Sequence, residues 1–187
     1  MKKTLIIIFI LNISISFSQN ETETLNNDMK NYIKANNESD FESLVEYYPE
    51  FFFDSISKKE TVKELKKFYS KRSKNKILLD SEFKVDTIIY KNAKCYARIR
   101  NGQDITMDLT EFEDENGMDY TISMAYVLFV NEYGEENVKY EKGELIFKIK
   151  SDKPLYAIKK EKESWKFIEL NETTEKIIPI EIRALEK

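Results

Sequence analysis

Cys95-Tyr-Ala-Arg-Ile-Arg-Asn-Gly-Gln-Asp-Ile-Thr-Met-Asp-Leu109 decides the fold class. Cys95, Ala97 and Ile99 alternate with Tyr96, Arg98 and Arg100, the period of two that a half-buried strand shows. Asn101-Gly102 follows, a pair that tolerates positive φ at both residues and so closes tight hairpins, and Ile105-Thr-Met-Asp-Leu109 follows as the next strand. The stretch reads as a hairpin with apolar residues on one face. On this reading Arg98 and Arg100 are exposed sheet residues and Cys95 is a buried, inert thiol.

The same period extends in both directions. Phe83, Val85 and Thr87 alternate with charged residues before it, and Asn116-Gly117 precedes the long apolar run Tyr120 to Val130 after it, which predicts a second hairpin. Leu145 to Ile149, Leu155 to Lys159 and Ser164-Trp-Lys-Phe-Ile168 add three more strands between polar loops. The run Tyr120 to Val130 and the strand Leu145 to Ile149 carry apolar residues at both parities, which predicts a cover over the outer sheet face. The cover is either a second subunit, making a homodimer, or the segment 177–185.

Upstream of Ile77 the period is helical. Met29, Tyr32 and Ile33 mark a first short helix to about Ala35. Ser39-Asp-Phe-Glu42 and Ser57-Lys-Lys-Glu60 have the spacing of capping boxes, in which a Ser and a Glu satisfy each other's free amides at a helix start. Phe41, Leu44, Val45 and Tyr48 give the helix after the first box one apolar face, and Pro49 stops it. Phe51-Phe-Phe53 is an aromatic anchor. Val62, Leu65, Phe68 and Tyr69 give the helix after the second box its stripe, with a solvated lysine-rich face opposite. Helices come first and an antiparallel meander follows, the order of an α+β fold.

Lys2 and Lys3, the apolar run Leu5 to Leu11 and the small residues Ser14, Ser16 and Ser18 have the pattern of a secretory signal, cleaved just before or after Gln19. The apolar run is shorter than the roughly 20 residues of a membrane-spanning helix, so no stable membrane span is expected. The organisation is therefore a signal peptide over 1–18, a flexible leader over 19–27, one α+β domain over 28–170 and a C-terminal extension over 171–187. Ile177, Ile178, Pro179, Ile182 and Leu185 in that extension fit a short closing helix or an added edge strand.

Composition removes whole classes of function. Loss of Lys2 and Lys3 takes the net charge from −4 to −6, which argues against nucleic acid as partner. A single cysteine excludes an internal disulfide. The chain has no histidine, which removes His-based acid–base chemistry, Ser-His and Cys-His nucleophiles and ordinary zinc or copper sites. No cofactor and no metal site is expected. The acidic stretch Asp104 to Asp119 fails the EF-hand pattern, because aligning Gly117 with that loop's glycine puts Phe112 where its first Asp belongs.

Asp40-Phe-Glu-Ser-Leu-Val-Glu-Tyr-Tyr-Pro49 resembles the second helix of small exported bacterial members of the nuclear transport factor 2-like superfamily, and Glu163-Ser-Trp-Lys-Phe-Ile168 resembles their final strand. The resemblance covers about residues 25 to 170. It implies a cystatin-like α+β cone, N-terminal helices on a curved antiparallel sheet, often paired through the outer sheet face. In some members the cone hosts isomerase, dehydratase or cyclase activity built on an Asp-His pair or paired acids, and this chain departs from that pattern in having no His.

Tyr48, with Met124 and Tyr126 on one parity of the long strand and Trp165 and Phe167 on one parity of the last, is the expected ligand pocket. Aromatic walls suit a small apolar ligand, with tyrosine hydroxyls orienting it. The reading is an exported module without catalytic activity that binds a small ligand or another protein. The alternative is an enzyme of isomerase, dehydratase or cyclase type that uses tyrosine or carboxylate groups in the aromatic cone.

Overall fold

The computed structural model describes residues 21–71, 74–110, 117–161, 163–170 and 174–183. It is a mixed α+β fold in which N-terminal helices precede a six-stranded antiparallel sheet. The signal peptide expected over 1–18 lies outside the described residues.

Helix α1 runs over 21–37 and buries Leu25, Met29 and Ile33, one residue per turn, against the sheet. The flexible leader expected up to Asn27 is therefore corrected. Its polar composition hid Leu25, which is fully buried one turn before Met29. A positive φ at Ser39 ends the turn after α1, so the next helix starts one residue later than the capping spacing predicts. Asp40 is its N-cap and accepts from the Ser43 amide at 3.2 Å. That helix, α2, spans only Phe41–Leu44 and tightens into a 3-10 turn over Val45–Tyr47 before Pro49. Helix α3, Lys58–Lys71, opens with the predicted box: Ser57 Oγ accepts from the Glu60 amide at 3.2 Å, and Glu60 Oε2 accepts from the Ser57 amide at 3.1 Å. Val62, Leu65 and Tyr69 pack on Phe41 and Leu44, while Phe68 stays exposed.

Two long strands carry the sheet, β1 over Lys76–Lys91 and β2 over Lys94–Asp108. They turn at Asn92-Ala93, both at positive φ as a two-residue hairpin loop requires. The hairpin expected at Asn101-Gly102 does not form, and β2 passes straight through these residues. Their turn chemistry serves a bulge on the neighbouring strand instead. The register jumps there by two residues, so Asp80, Ser81 and Glu82 lie opposite Gly102. Asn101, buried, donates through Nδ2 to the Asp80 carbonyl at 2.8 Å and to the Glu82 carbonyl at 3.0 Å.

The strand expected over Tyr120 to Val130 is instead helix α4, Met118–Tyr133. Apolar residues at both parities fit a helix that is apolar all round as well as a buried strand, and no charged residue interrupts the run between Asp119 and Glu132, which is too long for an ordinary strand. Gly117 precedes it at φ 89° and Gly134 ends it at φ 87°. Asn116 and most of the acidic stretch lie outside the described residues.

Strands β3 (Val138–Glu141), β4 (Ile146–Ser151), β5 (Leu155–Lys160) and β6 (Lys166–Glu169) complete the sheet. β2 has β1 on one side and both β4 and β5 on the other, while β3 pairs with β4 and β6 with β5. One face carries two cores. Leu25, Met29 and Ile33 pack on Cys95, Ala97, Ile99, Leu155, Ala157, Trp165 and Phe167 at one end, and Ile122, Ala125 and Phe129 of α4 pack on Ile105, Phe147 and Ile149 at the other.

The second face is covered at its β5–β6 end by the chain's own tail. Pro179 precedes the short helix α5, Ile180–Arg183, and Ile178 and Ile182 are buried against Tyr96, Tyr156 and Ile168. The tail is thus part of the core, not an appendage after residue 170. Its apolar residues are too few to show a period by themselves. Among the described residues no helix is long and apolar enough to cross a membrane.

Replacing Asn101 with Ala removes both hydrogen bonds to the bulge and leaves two carbonyls without their donor. Chemical denaturation of Asn101→Ala is expected to show a loss of about 1–3 kcal/mol. A loss under about 0.5 kcal/mol, the range of inert surface changes, would show that this amide does not hold the bulge.

Candidate functional site

The five aromatic and apolar residues expected to line one pocket are divided among three places. Trp165 and Phe167 are fully buried beneath α1: the Trp165 amide donates to Asp28 Oδ2 at 2.8 Å, its indole Nε1 donates to Thr24 Oγ1 at 3.2 Å, and Tyr32 lies 4.8 Å from the Phe167 ring. Tyr48 is half-buried among α2 and α3, 5.9 Å from Phe52. Met124 and Tyr126, assigned to one strand face by alternation, sit on helix α4 and are exposed, because a helix turns them about 200° apart instead of aligning them.

Polar side chains meet where the sheet is irregular. Asn101, Gln103, Ser151 and Glu169 occupy the same parity of their strands as Ile99, Ile149, Leu155 and Phe167, so they interrupt the apolar face. The register sets Gln103 opposite Ser151 and Glu169 opposite Leu155 at the level of Ile99, from where the Glu169 side chain reaches back to Gln103. Asn101, Gln103 and Ser151 are buried, and Gln103 Nε2 donates to Glu169 Oε1 at 3.4 Å. Here a cleft of about 660 Å³ opens, lined on one side by Arg98 and Arg100, on the other by Glu132 and Tyr133 of α4, and along its floor by Ser151 to Pro154.

Arg98 was expected to be exposed, but its side chain is only 12% exposed. A second bulge in β1 explains this. Asp86 is an extra residue between Val85 and Thr87, and its carboxylate takes Arg98 Nη1 at 2.7 Å and Arg100 Nε at 2.9 Å. Arg98 Nε has no acceptor among the described residues. Lys153 pairs with Glu132 and lies 4.8 Å from the centre of the Tyr133 ring.

Tyrosine hydroxyls from three elements lie within electrostatic reach of Glu169. Burial first raises Tyr32, Tyr48 and Tyr133 above the ordinary tyrosine value, the Glu169 charge adds to it in each, and at Tyr133 the Lys153 ammonium opposes it. Cys95 is buried, and burial raises its thiol above its ordinary value, so a thiolate nucleophile is disfavoured there. The carboxyls that shift, Asp40, Glu42, Glu60, Glu141 and Glu181, are all lowered, chiefly by hydrogen bonds, and none lines the cleft. A general acid would need the opposite shift. Among the described residues no three His, Cys, Asp or Glu groups lie together as a metal site requires.

A second feature is the outer side of α4. Tyr120, Met124, Val127 and Leu128 recur at helical spacing and are exposed, Val127 by 52% and Leu128 by 61%. No residue of α4 is buried. Exposed carboxylates stand at its two ends, Asp119 at the start and Glu135 and Glu136 beyond the stripe, while Glu132 is paired with Lys153.

Neither a protein-family model, a curated protein nor a solved structure matches the chain. The functional argument therefore rests on these two surfaces. Glu169, Gln103 and Ser151 escaped the sequence reading, although one signal was available: each is a polar residue on the parity that its strand otherwise keeps apolar.

Tyr48 gives a pH test. Its hydroxyl is pushed from the ordinary 10.0 to about 12, by burial first and then by Tyr69 and Glu169. Between these values the unfolded chain sheds a proton that the folded chain keeps, so stability falls as pH rises. Denaturation of Tyr48→Phe between about pH 10 and pH 12 is expected to show a shallower fall than the parent. An unchanged slope would place the hydroxyl in water.

Proposed function

We propose that the chain is an exported, non-catalytic association module built as a nuclear transport factor 2-like cone, and that α4 is its partner-binding element. Export rests on the signal pattern of residues 1–18. The cone reading rests on helices that precede a bulged antiparallel sheet. Association is favoured over a small apolar ligand because Trp165 and Phe167, the aromatic walls such a ligand needs, are filled against α1.

The single observation that carries the reading is an apolar helix without one buried residue. A helix that is apolar on all sides ordinarily lies inside a core. Ile122, Ala125 and Phe129 reach the sheet, whereas Tyr120, Met124, Val127 and Leu128 form a stripe turned to solvent. Its spacing suits a second helix packed along it. The carboxylates at both ends fix the partner's chemistry: an amphipathic helix with an apolar stripe and basic residues at its ends. A second copy of this chain is disfavoured, because pairing α4 with α4 in either direction sets acids against acids. An anionic bilayer is disfavoured by the same charges.

A lysine-flanked amphipathic peptide of about 15 residues is a direct probe. Calorimetry is expected to show binding that weakens with salt and falls about tenfold or more when Val127 and Leu128 are both replaced by Lys, changes at exposed sites that leave stability within about 0.5 kcal/mol. Peptide binding unaffected by the two substitutions would refute the assignment. So would a dimer in sedimentation, or binding to phosphatidylglycerol vesicles, that the substitutions abolish.

A further inference from the structure

Strands β4 and β5 are one strand in two pieces. Every pair with β2 keeps a single register, from Asp108 opposite Ile146, through Gln103 opposite Ser151 and Ile99 opposite Leu155, to Lys94 opposite Lys160. Asp152 to Pro154 therefore crosses the break with no residue inserted. The other edge of this composite strand is only partly used: β3 pairs with Ile146 to Ile149 and β6 with Leu155 to Ile158. β6 ends at Glu169 opposite Leu155, and β3 begins at Val138 opposite Ile149. Both run antiparallel to the composite strand, so they point the same way along its edge. Among the described strands, none pairs with Lys150 to Pro154 on this side, and the cleft of about 660 Å³ opens at that place.

We infer that this gap is a strand-addition site for an extended peptide segment of about five residues, which continues the line of β6 toward β3. Such a segment spans about 17 Å. The Lys153 amide donates to Ser151 Oγ at 3.3 Å, so the added main chain meets the edge groups of Lys150 to Asp152, the mode by which extended peptides add to open sheet edges. Pro154 supplies no donor, which limits how far a longer strand can zip along the edge.

Alternation sets the side-chain preference. One parity of the added strand faces Ser151, Gln103 and Tyr133 together with the Glu169 carboxylate and the Lys153–Glu132 pair, a polar surface that already carries two carboxylates and one ammonium. The other shares the face of Arg98, Arg100, Lys150 and Asp152, where Asp86 already occupies part of both guanidinium groups. Arg100, whose side chain is 54% exposed, and the exposed Lys150 present charged donors to an incoming carboxylate on this parity. The favoured peptide therefore alternates acidic residues on this parity with small polar residues on the first.

Three capped peptides test the assignment against the whole chain by nuclear magnetic resonance titration: Glu-Ser-Thr-Ser-Glu, Lys-Ser-Thr-Ser-Lys, and the Glu peptide N-methylated at alternate residues. The Glu peptide is expected to shift the amides of Lys150 to Lys153 and Glu169 and to saturate at about millimolar concentration. The Lys peptide should bind about threefold or more weakly, and the N-methylated one, which keeps the side chains but loses main-chain donors, about tenfold or more weakly. Equal binding of the methylated peptide would overturn strand addition. So would absence of binding by both unmethylated peptides, or shifts confined to the outer side of α4.

Discussion

The Asn101 side-chain amide, donating to two carbonyls across the bulge in β1, is the contact on which the shape of the sheet depends. It lets three residues of β1 stand opposite one of β2, a local excess that bends a strand and increases its twist. The break at Asp152 to Pro154 falls at the same level on the other side of β2, opposite Arg100 to Gly102. The bulge in β1 and the break between β4 and β5 thus lie on one line across β2. Gly102 sits on that line, where a Cβ would stand 2.1 Å from the Asp80 carboxylate. Asn37, near the end of α1, fastens the edge beside it: its side chain accepts from the Leu79 amide at 2.9 Å and donates to the Leu79 carbonyl at 2.8 Å, as a neighbouring strand would.

This crease divides the molecule. The β5–β6 end of the sheet is buried on both faces, by α1 on one and by Ile178 and Ile182 on the other. Among the described residues, the β3–β4 end is covered on one face by α4. Along the line between them the strands carry Asn101, Gln103, Ser151 and Glu169 where apolar residues would close the core, and Asn101 Oδ1 and Arg98 Nε find no partner among the described residues. Buried polar groups are usually paired, with protein or with ordered water, so these two atoms leave hydrogen-bonding capacity unused at the crease. Both proposed binding surfaces border this crease, since Glu132 and Tyr133 end α4 at the cleft.

The legible parts of the fold were those in which one local rule operates alone. Ser57 and Glu60 form their reciprocal cap because helix starts are short-range. Cys95, Ala97 and Ile99 face α1 as their alternation predicts. Where two physical readings shared one pattern, the choice depended on contacts distant in sequence. Asn101-Gly102 has the chemistry of a hairpin turn, but Asn101 spends it on carbonyls about twenty residues earlier, and Asn92-Ala93 makes the turn. Tyr120 to Val130 is rich in strand-forming residues, yet Gly117 and Gly134 bound a helix. Of the expected pocket, Trp165 and Phe167 share a face, as their alternation predicts, but that face is covered by α1. The polar residues of the cleft come together only through register, which no single segment displays.

Amide hydrogen exchange across residues 146–160 tests the crease most directly, because it reads each backbone donor along the composite strand. With β2 on one side and β3 or β6 on the other, amides from Phe147 to Ile149 and from Tyr156 to Ile158 are expected to be slow. Asp152, between them at the break, is expected to exchange much faster, while the Lys153 amide is held by Ser151 Oγ. Protection of Asp152 equal to that of its neighbours would mean one unbroken, fully paired strand, and would contradict both the crease and the open edge that the account places there.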